Sequence, residues 1–308
     1  MLAIIAPGQG SQTPGFLTPW LEDKQLRDCL DSWSEAIDLN LIHLGTQAEA
    51  EEIRATANAQ PLIVSAGLLA MRALGNVNAA VTAGHSVGEI TAAAIAGVIS
   101  EKDAMTFVRA RGLAMSVAAA QTPTGMSAVL GGDRADVLAA IAALGLVAAN
   151  DNGAGQIVAA GELDALATLG ENPPPGARVR SLAVAGAFHT PFMQPAVGHL
   201  SEFATSLAVN DPIMTILSNR DGTNVTFGHV VLDRIVNQIA NPVRWDLCMQ
   251  TLGELGVSAV LELPPAGTLV GLIKRALPGV ETLALKSPED MDAARDLISR
   301  HTESVATT

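Results

Sequence analysis

A serine stands at the centre of a short glycine-rich segment, Gly84-His85-Ser86-Val87-Gly88. The segment follows a short apolar run and precedes a helical stretch of small residues, which is the setting of a nucleophile elbow. At the start of such a helix, the Val87 N–H is free to donate to an oxyanion. A tight turn whose serine merely caps the helix would have the same pattern. Acyl transfer or hydrolysis at Ser86 is therefore one of two interpretations at this point.

A second glycine-rich turn, Gly8-Gln9-Gly10-Ser11-Gln12, follows the first apolar run of the chain. Thr13 stands where a dinucleotide-binding fingerprint would need a further glycine, so the turn does not predict a bound nucleotide. Turns at the carboxyl ends of parallel strands share one edge of a sheet. We therefore expect Gln9 and nearby backbone N–H groups to face the same cleft as Ser86, with no bound cofactor.

Arg111 is the most informative charged residue by pattern. A helix is predicted from the cap at Ser100 to about Ala119, and Arg111 lies in its apolar stripe. The other members of the stripe are Ala104, Phe107, Val108 and Met115. A guanidinium directed inward is costly unless it meets an anion, and its planar fork fits a carboxylate. The partner is either an internal acidic residue or the carboxylate of a substrate.

A base for Ser86 must come from one of six histidines. His85 adjoins the serine but is expected to point elsewhere on the turn. His189, in Gly186-Ala187-Phe188-His189-Thr190, follows the last predicted strand of a central insert, where the chain must cross back over the cleft. That position favours His189 as a general base, with an ordinary loop histidine as the alternative.

The composition excludes several classes of protein. The chain has 308 residues, 49% of them apolar, and a formal net charge of −13, which disfavours binding to nucleic acid or to anionic membranes. Cys29 and Cys248 lie far apart without metal-ligand spacing, so we expect two reduced core thiols and no metal site. The apolar run Leu2 to Ala6 is too short for a signal peptide or a membrane span, which predicts a cytoplasmic protein.

Apolar runs of strand length alternate with segments of helical period, which predicts an α/β fold with a parallel sheet. Helices are expected around Pro61 to Leu74 and Val87 to Val98. The predicted strands of this sheet are Leu2 to Ala6, Ala80 to Ala83, Ile213 to Leu217, Ala259 to Leu263 and Thr282 to Leu285. The polar tail after His301 is expected to fray.

A central stretch has a different order of elements, strand-helix-strand-strand-helix-strand, which is typical of a ferredoxin-like unit. Its predicted strands are Met126 to Leu130, Leu146 to Ala149, Gln156 to Ala160 and Val179 to Val184, and its helices are Arg134 to Leu144 and Leu163 to Leu169. We predict a large, hydrolase-like domain of residues 1–122 and 190–308, with residues 123–189 inserted as a small α+β lobe over a cleft.

Taken together, these segments resemble the malonyl-CoA:acyl carrier protein transacylases of fatty-acid synthesis. The resemblance covers essentially the whole chain, and its order and spacing include further segments. These are Glu89 after the serine motif, Arg111-Gly112, Gln238 with Asn241-Pro242-Val243-Arg244-Trp245, and Glu262-Leu263-Pro264-Pro265-Ala266-Gly267. Several motifs in register are far more specific than any one of them.

The resemblance implies a two-step transfer through a covalent intermediate. Ser86 would be acylated by malonyl-CoA and His189 would be its base, with Gln9 and the Val87 N–H as the oxyanion hole. Arg111 would hold the malonyl carboxylate. The acceptor would be the phosphopantetheine thiol of an acyl carrier protein.

Within that family a backbone carbonyl orients the histidine, and the matching position here is Gln238. The sequence departs from the pattern at Pro264-Pro265-Ala266-Gly267, where many relatives have Gly-Pro-Gly, and at Phe188, where others have Ser. Phe188 is similar to the residue of malonyl-selective acyltransferases in polyketide synthases.

Three alternatives remain at this stage. An α/β hydrolase would need an acid before a late histidine, and none is evident before His189. A transacylase for polyketide assembly or malonate decarboxylation would share every motif. A non-catalytic docking module would be expected to lose Ser86 or His189. For the monomeric enzyme that we expect, Lys274 and Arg275 are candidates for docking an acidic carrier protein.

Overall fold

The computed structural model describes residues 1–302, so residues 303–308 of the tail predicted to fray lie outside the described residues. The strands are β1 (Leu2–Ala6), β2 (Val81–Gly84), β3 (Thr124–Gly131), β4 (Val147–Asp151), β5 (Gln156–Glu162), β6 (Ala177–Ser181), β7 (Thr215–Leu217), β8 (Val243–Arg244), β9 (Ala259–Glu262) and β10 (Glu281–Ala284). The helices are α1 (Lys24–Ile37), α2 (Leu41–Thr46), α3 (Ala50–Arg54), α4 (Thr56–Leu74), α5 (Gly88–Ile95), α6 (Glu101–Ala119), α7 (Arg134–Ala143), α8 (Leu163–Glu171), α9 (Gln194–Ala204), α10 (Gly228–Gln238), α11 (Trp245–Glu254), α12 (Thr268–Ala276) and α13 (Met291–His301).

The parallel sheet has five strands in the order β10-β9-β1-β2-β7, and all neighbouring strands are parallel. Every residue of β1, β2 and β9 is buried, as expected of central strands covered by helices on both faces. The predicted parallel sheet is confirmed. One strand is shorter than predicted, because β7 begins at Thr215 and Ile213 is 80% exposed.

The helix that carries Arg111 has the predicted bounds. The Ser100 hydroxyl accepts from the Asp103 N–H at 3.0 Å, which satisfies one of the free donors at the start of α6. The helix ends at Ala119, as predicted. Its buried face includes Phe107, Val108 and Arg111, so the guanidinium enters the core with the apolar stripe.

The second sheet has the order β6-β3-β5-β4-β8. The pairs β6-β3, β3-β5 and β5-β4 are antiparallel, and α7 and α8 supply Val137, Ile141, Leu166 and Leu169 to its core. The last predicted strand was placed too late, since β6 covers Ala177–Ser181 and pairs with β3 over that range. The division into residues 1–122, 123–189 and 190–308 stays a prediction.

The second sheet ends in a strand that sequence patterns missed. Two-residue β8 lies far along the chain, yet it pairs in parallel with β4 through Asn150↔Val243 and Asp151↔Arg244. The C-terminal part of the chain therefore contributes an edge strand to the second sheet.

Other expectations concern cysteines, membranes and metals. Cys248 is buried and unpaired as predicted, whereas the free thiol Cys29 is only partly buried and so is not a core residue. Within residues 1–302, no helix is long and apolar enough to cross a membrane. The same residues contain no group of three or more His, Cys, Asp or Glu side chains arranged to hold a metal ion.

Candidate active site

The turn between β2 and α5 holds Ser86 in a strained conformation. Its φ angle is 55°, in the left-handed region that non-glycine residues seldom adopt outside functional turns. A Cβ at Gly84 would lie 1.9 Å from the Gly88 carbonyl carbon, and one at Gly88 would lie 2.2 Å from the Ala6 oxygen. Both positions therefore require glycine. The predicted elbow geometry is present.

His189 lies against this serine. Its Nε2 is 2.8 Å from Ser86 Oγ, and its Nδ1 is 2.9 Å from the Gln238 carbonyl oxygen. Because a carbonyl only accepts, Nδ1 carries the proton and Nε2 is left as the acceptor for the serine hydroxyl. The structure thus brings together three of the predicted positions in the arrangement of a nucleophile, a base and an orienting carbonyl.

The base is kept neutral by its surroundings. Burial and, secondarily, the positive charge of Arg111 lower the pKa of His189 to about 3, against the opposing effect of the Gln238 carbonyl. His189 also has a positive φ of 62°, and its own N–H donates to the Ile239 oxygen at 3.0 Å. The imidazole is therefore fixed at both its ring and its backbone, and it can accept a proton at neutral pH.

His85 turns away from the nucleophile, as predicted. Its Nε2 is 2.8 Å from the Oδ1 of Asn152 at the end of β4, and its ring meets the Trp245 ring edge-on at 5.7 Å. Burial lowers the pKa of His85. The residue therefore links the elbow to the end of β4 in the second sheet.

The two candidate oxyanion donors lie on adjacent turns of the parallel sheet, after β1 and β2. Val87 is the N-cap residue of α5, and its N–H has no acceptor in the part of the chain that the structure describes. Gln9 follows β1 and lines the same cavity as Ser86 and His189. Their predicted role in binding an oxyanion stays a prediction.

Arg111 is completely buried and is held by two neutral amides. Its Nη1 donates to Gln60 Oε1 at 2.6 Å and its Nη2 donates to Gln238 Oε1 at 3.0 Å, while its Nε has no partner among residues 1–302. Within this part of the chain no carboxylate lies within salt-bridge distance of Arg111. Burial lowers the pKa of Arg111 to about 10, and the charge of Glu89 opposes that shift. The internal ion pair considered as an alternative is therefore not formed.

Sequence reasoning missed Asn219, which ties the elbow to the rest of the site. Its Oδ1 accepts from the Ser86 N–H at 2.8 Å, and its Nδ2 donates to the Gly84 oxygen at 2.7 Å. Asn219 is fully buried and lies two residues after β7. Its place at the carboxyl edge of a predicted strand is the signal that could have found it.

Gln60 and Glu89 were missed as well. Gln60, on α4, lies between Arg111 and the first glycine-rich turn, because its Nε2 is 3.4 Å from Gln9 Oε1. Glu89 accepts from the Asn219 N–H at 2.6 Å and from the Gln238 side-chain amide. Glu89 is a polar residue at a buried position of a predicted helix, the same signal that singled out Arg111, whereas Gln60 lies just before the helix predicted from Pro61.

A cavity of about 260 Å³ opens onto Ser86 and His189 between the two sheets. Asn150 of β4 and Asn152, which directly follows β4, line this cavity. Thr268, Leu269 and Leu272 from α12 line it as well. Arg111 is not among the described residues that line it. Lys274 and Arg275 are exposed near the C-terminal end of α12, outside the cavity itself.

Comparisons with known proteins identify the family. The malonyl CoA-acyl carrier protein transacylase of Mycobacterium tuberculosis strain H37Rv is 54% identical over 302 residues, covering 96% of this chain and 100% of the relative. That of Escherichia coli K12 is 32% identical over 305 residues, covering 96% and 99%. A crystal structure of MCAT from Mycobacterium tuberculosis superimposes with a TM-score of 0.92 over 96% of this chain and 99% of that one, at 54% identity.

A more distant structure contains a carrier protein. It is a type II PKS acyl-carrier protein in complex with its malonyl-transacylase. This chain matches it with a TM-score of 0.89 at 28% identity, over 96% of this chain and 99% of that one. The model of the acyl transferase domain family matches residues 4–295. The predicted resemblance is thereby confirmed, and this chain belongs to the acyl transferase domain family.

Proposed function

We propose that this chain transfers a malonyl group from malonyl-CoA to the phosphopantetheine thiol of an acyl carrier protein, supplying fatty-acid synthesis. The observation that carries the proposal is the pairing of Ser86 and His189 beside a buried guanidinium that meets only amides. The nucleophile and base serve acyl transfer in general, whereas Arg111 favours an acyl group with a free carboxylate. The names of the relatives agree with this substrate.

In the first half-reaction, Ser86 Oγ attacks the thioester carbonyl and its proton passes to His189 Nε2. The negative charge that develops on the carbonyl oxygen is stabilised by the Val87 N–H and by Gln9. The carbon–sulfur bond then breaks, the coenzyme A thiolate takes the proton from His189, and malonyl-Ser86 remains. No bound cofactor takes part, since coenzyme A enters only as the thioester of the substrate.

The second half-reaction repeats these steps with a different thiol. The phosphopantetheine thiol of the carrier protein gives its proton to His189 and attacks the carbonyl of malonyl-Ser86. The ester bond breaks, and Ser86 recovers the proton from His189. Arg111 holds the malonyl carboxylate through both steps, which keeps the acyl group oriented while the thiols exchange.

The carrier protein is proposed to dock beside α12 and the small lobe of residues 123–189. The strand order β6-β3-β5-β4 with two helices supports a ferredoxin-like unit inserted into a hydrolase-like domain. Lys274 and Arg275 are exposed on the helix whose first residues line the cavity, and their charge suits an acidic partner. We also propose that the enzyme is a cytoplasmic monomer.

A second candidate acceptor is the carrier protein of a polyketide pathway. The structural match to a malonyl-transacylase bound to a type II PKS carrier protein favours it, and Phe188 lines the cavity beside His189. The chemistry at Ser86 would be the same in both pathways. The two differ only in which carrier protein is the better acceptor.

The test is to incubate the enzyme with radiolabelled malonyl-CoA alone and to map the labelled peptide. We expect a stable label on Ser86 that is released by an acyl carrier protein in its phosphopantetheine form and retained when the apo form is added. Comparing fatty-acid and polyketide carrier proteins as acceptors separates the two candidates. A label on another residue, or rapid release to water, would contradict the transfer mechanism.

A further inference from the structure

Glu89 is a buried carboxylate that the transfer mechanism leaves without a task. It is 4% exposed and lies one turn after Ser86 on α5. Its Oε1 accepts from the Asn219 N–H at 2.6 Å, and its Oε2 accepts from the Gln238 amide. An acidic side chain in the core is costly, so a role for its charge is expected.

Gln238 connects this carboxylate to the guanidinium. Its Nε2 donates to Glu89, while its Oε1 accepts from Arg111 Nη2 at 3.0 Å. An ionised carboxylate only accepts and a guanidinium only donates. The two charged groups therefore leave one orientation of the Gln238 amide in which both of its ends are matched.

We propose that Glu89 is a positioning residue that sets the preference for malonyl over acetyl groups by holding the Gln238 amide with its oxygen towards Arg111. This inference rests on the proposed function, since it assumes that Arg111 receives the malonyl carboxylate. Gln238 also orients His189, but does so through its backbone carbonyl. Its side chain accepts from Arg111 through Oε1, while Nε2 also donates to Asn219 Oδ1 at 3.1 Å and to the Ser86 oxygen at 3.3 Å.

Counting donors and acceptors shows why the charge at position 89 matters. Hydrogen bonds link Asn219 to Glu89, Glu89 to Gln238 and Gln238 to Arg111. The first group, the Asn219 N–H, and the last group, Arg111, are both donors. A glutamine at position 89 accepts from the Asn219 N–H and presents its NH₂ to Gln238, whose Nε2 also donates to Asn219 Oδ1 at 3.1 Å and to the Ser86 oxygen at 3.3 Å. Gln238 can match residue 89 only by turning its oxygen towards it. The Gln238 NH₂ then faces Arg111, and two donors meet. A protonated Glu89 produces the same mismatch.

The ionisation state of Glu89 decides the conditions of the test. Burial raises the pKa of Glu89 to about 8, against the opposing effects of the Asn219 N–H, Arg111, the Gln238 amide and Arg234. From α11, the Cys248 thiol also faces this region, and burial and the Glu89 charge raise its pKa. We therefore place the assay at about pH 9, where the Glu89 carboxylate is ionised and Arg111 keeps its proton.

The experiment compares wild type with Glu89→Gln by measuring kcat/KM for acylation of Ser86 by malonyl-CoA and by acetyl-CoA. We expect the malonyl-to-acetyl ratio to fall on the order of tenfold in Glu89→Gln, the loss of one charge-assisted hydrogen bond. In an Arg111→Ala background, Glu89→Gln should leave the ratio unchanged. Equal losses for both substrates in the single variant, or a further fall of the ratio in the double variant, would overturn the inference.

A second variant tests the inference if Glu89→Gln does not fold. Gln238→Met removes both amide atoms and keeps the backbone carbonyl that binds His189. The malonyl-to-acetyl ratio should again fall. An unchanged ratio in a folded Gln238→Met enzyme would contradict the role of the amide.

The matched control is Glu254→Gln. Glu254 is exposed and accepts from the Gln250 amide at 2.7 Å, so it has the same kind of hydrogen bond far from the cavity chemistry. This variant should keep the wild-type ratio. Failure of the proposed function is distinguishable, because a wild-type enzyme without malonyl preference would reject that function, whereas a preference unaffected by Glu89→Gln would reject only this inference.

Discussion

The serine side and the arginine side of the site differ in how completely their polar groups are matched. Ser86 Oγ, His189 and the Gln238 carbonyl form a closed series of hydrogen bonds without any substrate. Arg111 is as deeply buried, yet it meets only two amide oxygens and its Nε has no partner among the described residues. The first side is complete in the free enzyme, whereas the second has a charge that only a ligand could balance directly.

This difference separates the chemistry from the selection of the acyl group. A preorganised nucleophile and base act on any thioester that reaches them. A desolvated cation stabilises a ligand with a carboxylate and opposes an apolar one. Substitutions on the two sides should therefore affect malonyl and acetyl substrates differently.

The largest effect is expected on the serine side, and it should be equal for both substrates. Ser86→Ala removes the nucleophile, and His189→Ala removes its base. Each should lower transfer of malonyl and of acetyl groups by about 10⁴-fold or more. Rates of acylation and mapping of the labelled peptide check this expectation.

The two single variants and their combination should be similarly impaired, because the residues act as a unit. The melting temperature serves as the control for folding. Wild-type rates in His189→Ala would point to another base, and His85→Ala would then be the first variant to compare.

On the arginine side, Arg111→Ala is expected to lower malonyl transfer but not acetyl transfer. The loss of one partner of a buried ion pair costs roughly 3–5 kcal/mol, which is about two to four decades in rate if fully expressed in the transition state. Malonyl transfer should fall by that order, while acetyl transfer is unchanged or improved because the opposing charge is gone. Arg111→Lys should rescue only partly, since it lacks the planar fork.

The measurement is kcat/KM for both acyl-CoA substrates on a variant with a normal melting curve. A parallel loss for both would show that Arg111 only supports the fold. It would also reopen the hydrolase interpretation, in which a buried arginine has no role.

Much of the serine side could be predicted from sequence because its signals are local. A strand, a turn with glycines and a helix of small residues are adjacent in the chain around Ser86, and the close approach at Gly84 and Gly88 explains the glycines. Arg111 was found from the period of α6 alone. In each case the whole pattern lies within one continuous stretch of the chain.

The two partners of Arg111 could not be predicted in the same way. Gln60 lies on α4 and Gln238 at the end of α10, and they meet Arg111 only when these helices pack. The same holds for Asn219 after β7, which accepts from Gln238. The pairing of β8 was missed because two residues have no period, and Ile213 was misassigned because it is apolar but exposed. Sequence patterns thus located the charge and the nucleophile, while packing determined what surrounds them.

An intermediate effect is expected at Gln9. If its only role is one donor to the oxyanion, Gln9→Ala should slow acylation on the order of 10²-fold. The loss should be similar for malonyl-CoA and acetyl-CoA, which would assign Gln9 to the serine side. A larger loss for malonyl-CoA would instead assign it to the arginine side, through its contact with Gln60.

The acid dependence of the reaction should reveal how the two sides interact. Because burial and the Arg111 charge lower the pKa of His189 to about 3, the base stays neutral far below pH 6.5. The kcat/KM for acylation by acetyl-CoA, which does not depend on the Glu89 charge, should therefore stay level from about pH 8 to about pH 5, whereas a histidine of ordinary pKa would lose about 30-fold over that range. In Arg111→Ala the pKa of His189 should rise, which would move the acid limb to higher pH.

The same pKa shift has a consequence for stability. Below about pH 6.5 the unfolded chain binds a proton at His189 and the folded chain does not, so the unfolding free energy should fall as the pH is lowered towards 3. A His189→Gln variant should lose less stability over this window. Urea titrations at several pH values measure whether the unfolding free energy falls as the pH is lowered. An equal fall in wild type and His189→Gln would contradict a neutral buried imidazole.

The smallest effect is expected outside both sides, at Lys274 and Arg275. Reversing both charges to Glu should raise KM for the carrier protein several-fold and leave acylation by malonyl-CoA nearly unchanged, because surface charges act mainly on the encounter of the two proteins. Wild-type transfer should weaken with added salt, and the variant should be less sensitive to salt. Reversal of Lys24 and Arg27 on α1 is a matched control, since no residue of α1 lines the cavity, whereas the first residues of α12 do. Equal losses in both half-reactions would indicate general damage, and an unchanged KM for the carrier protein would place docking on another surface.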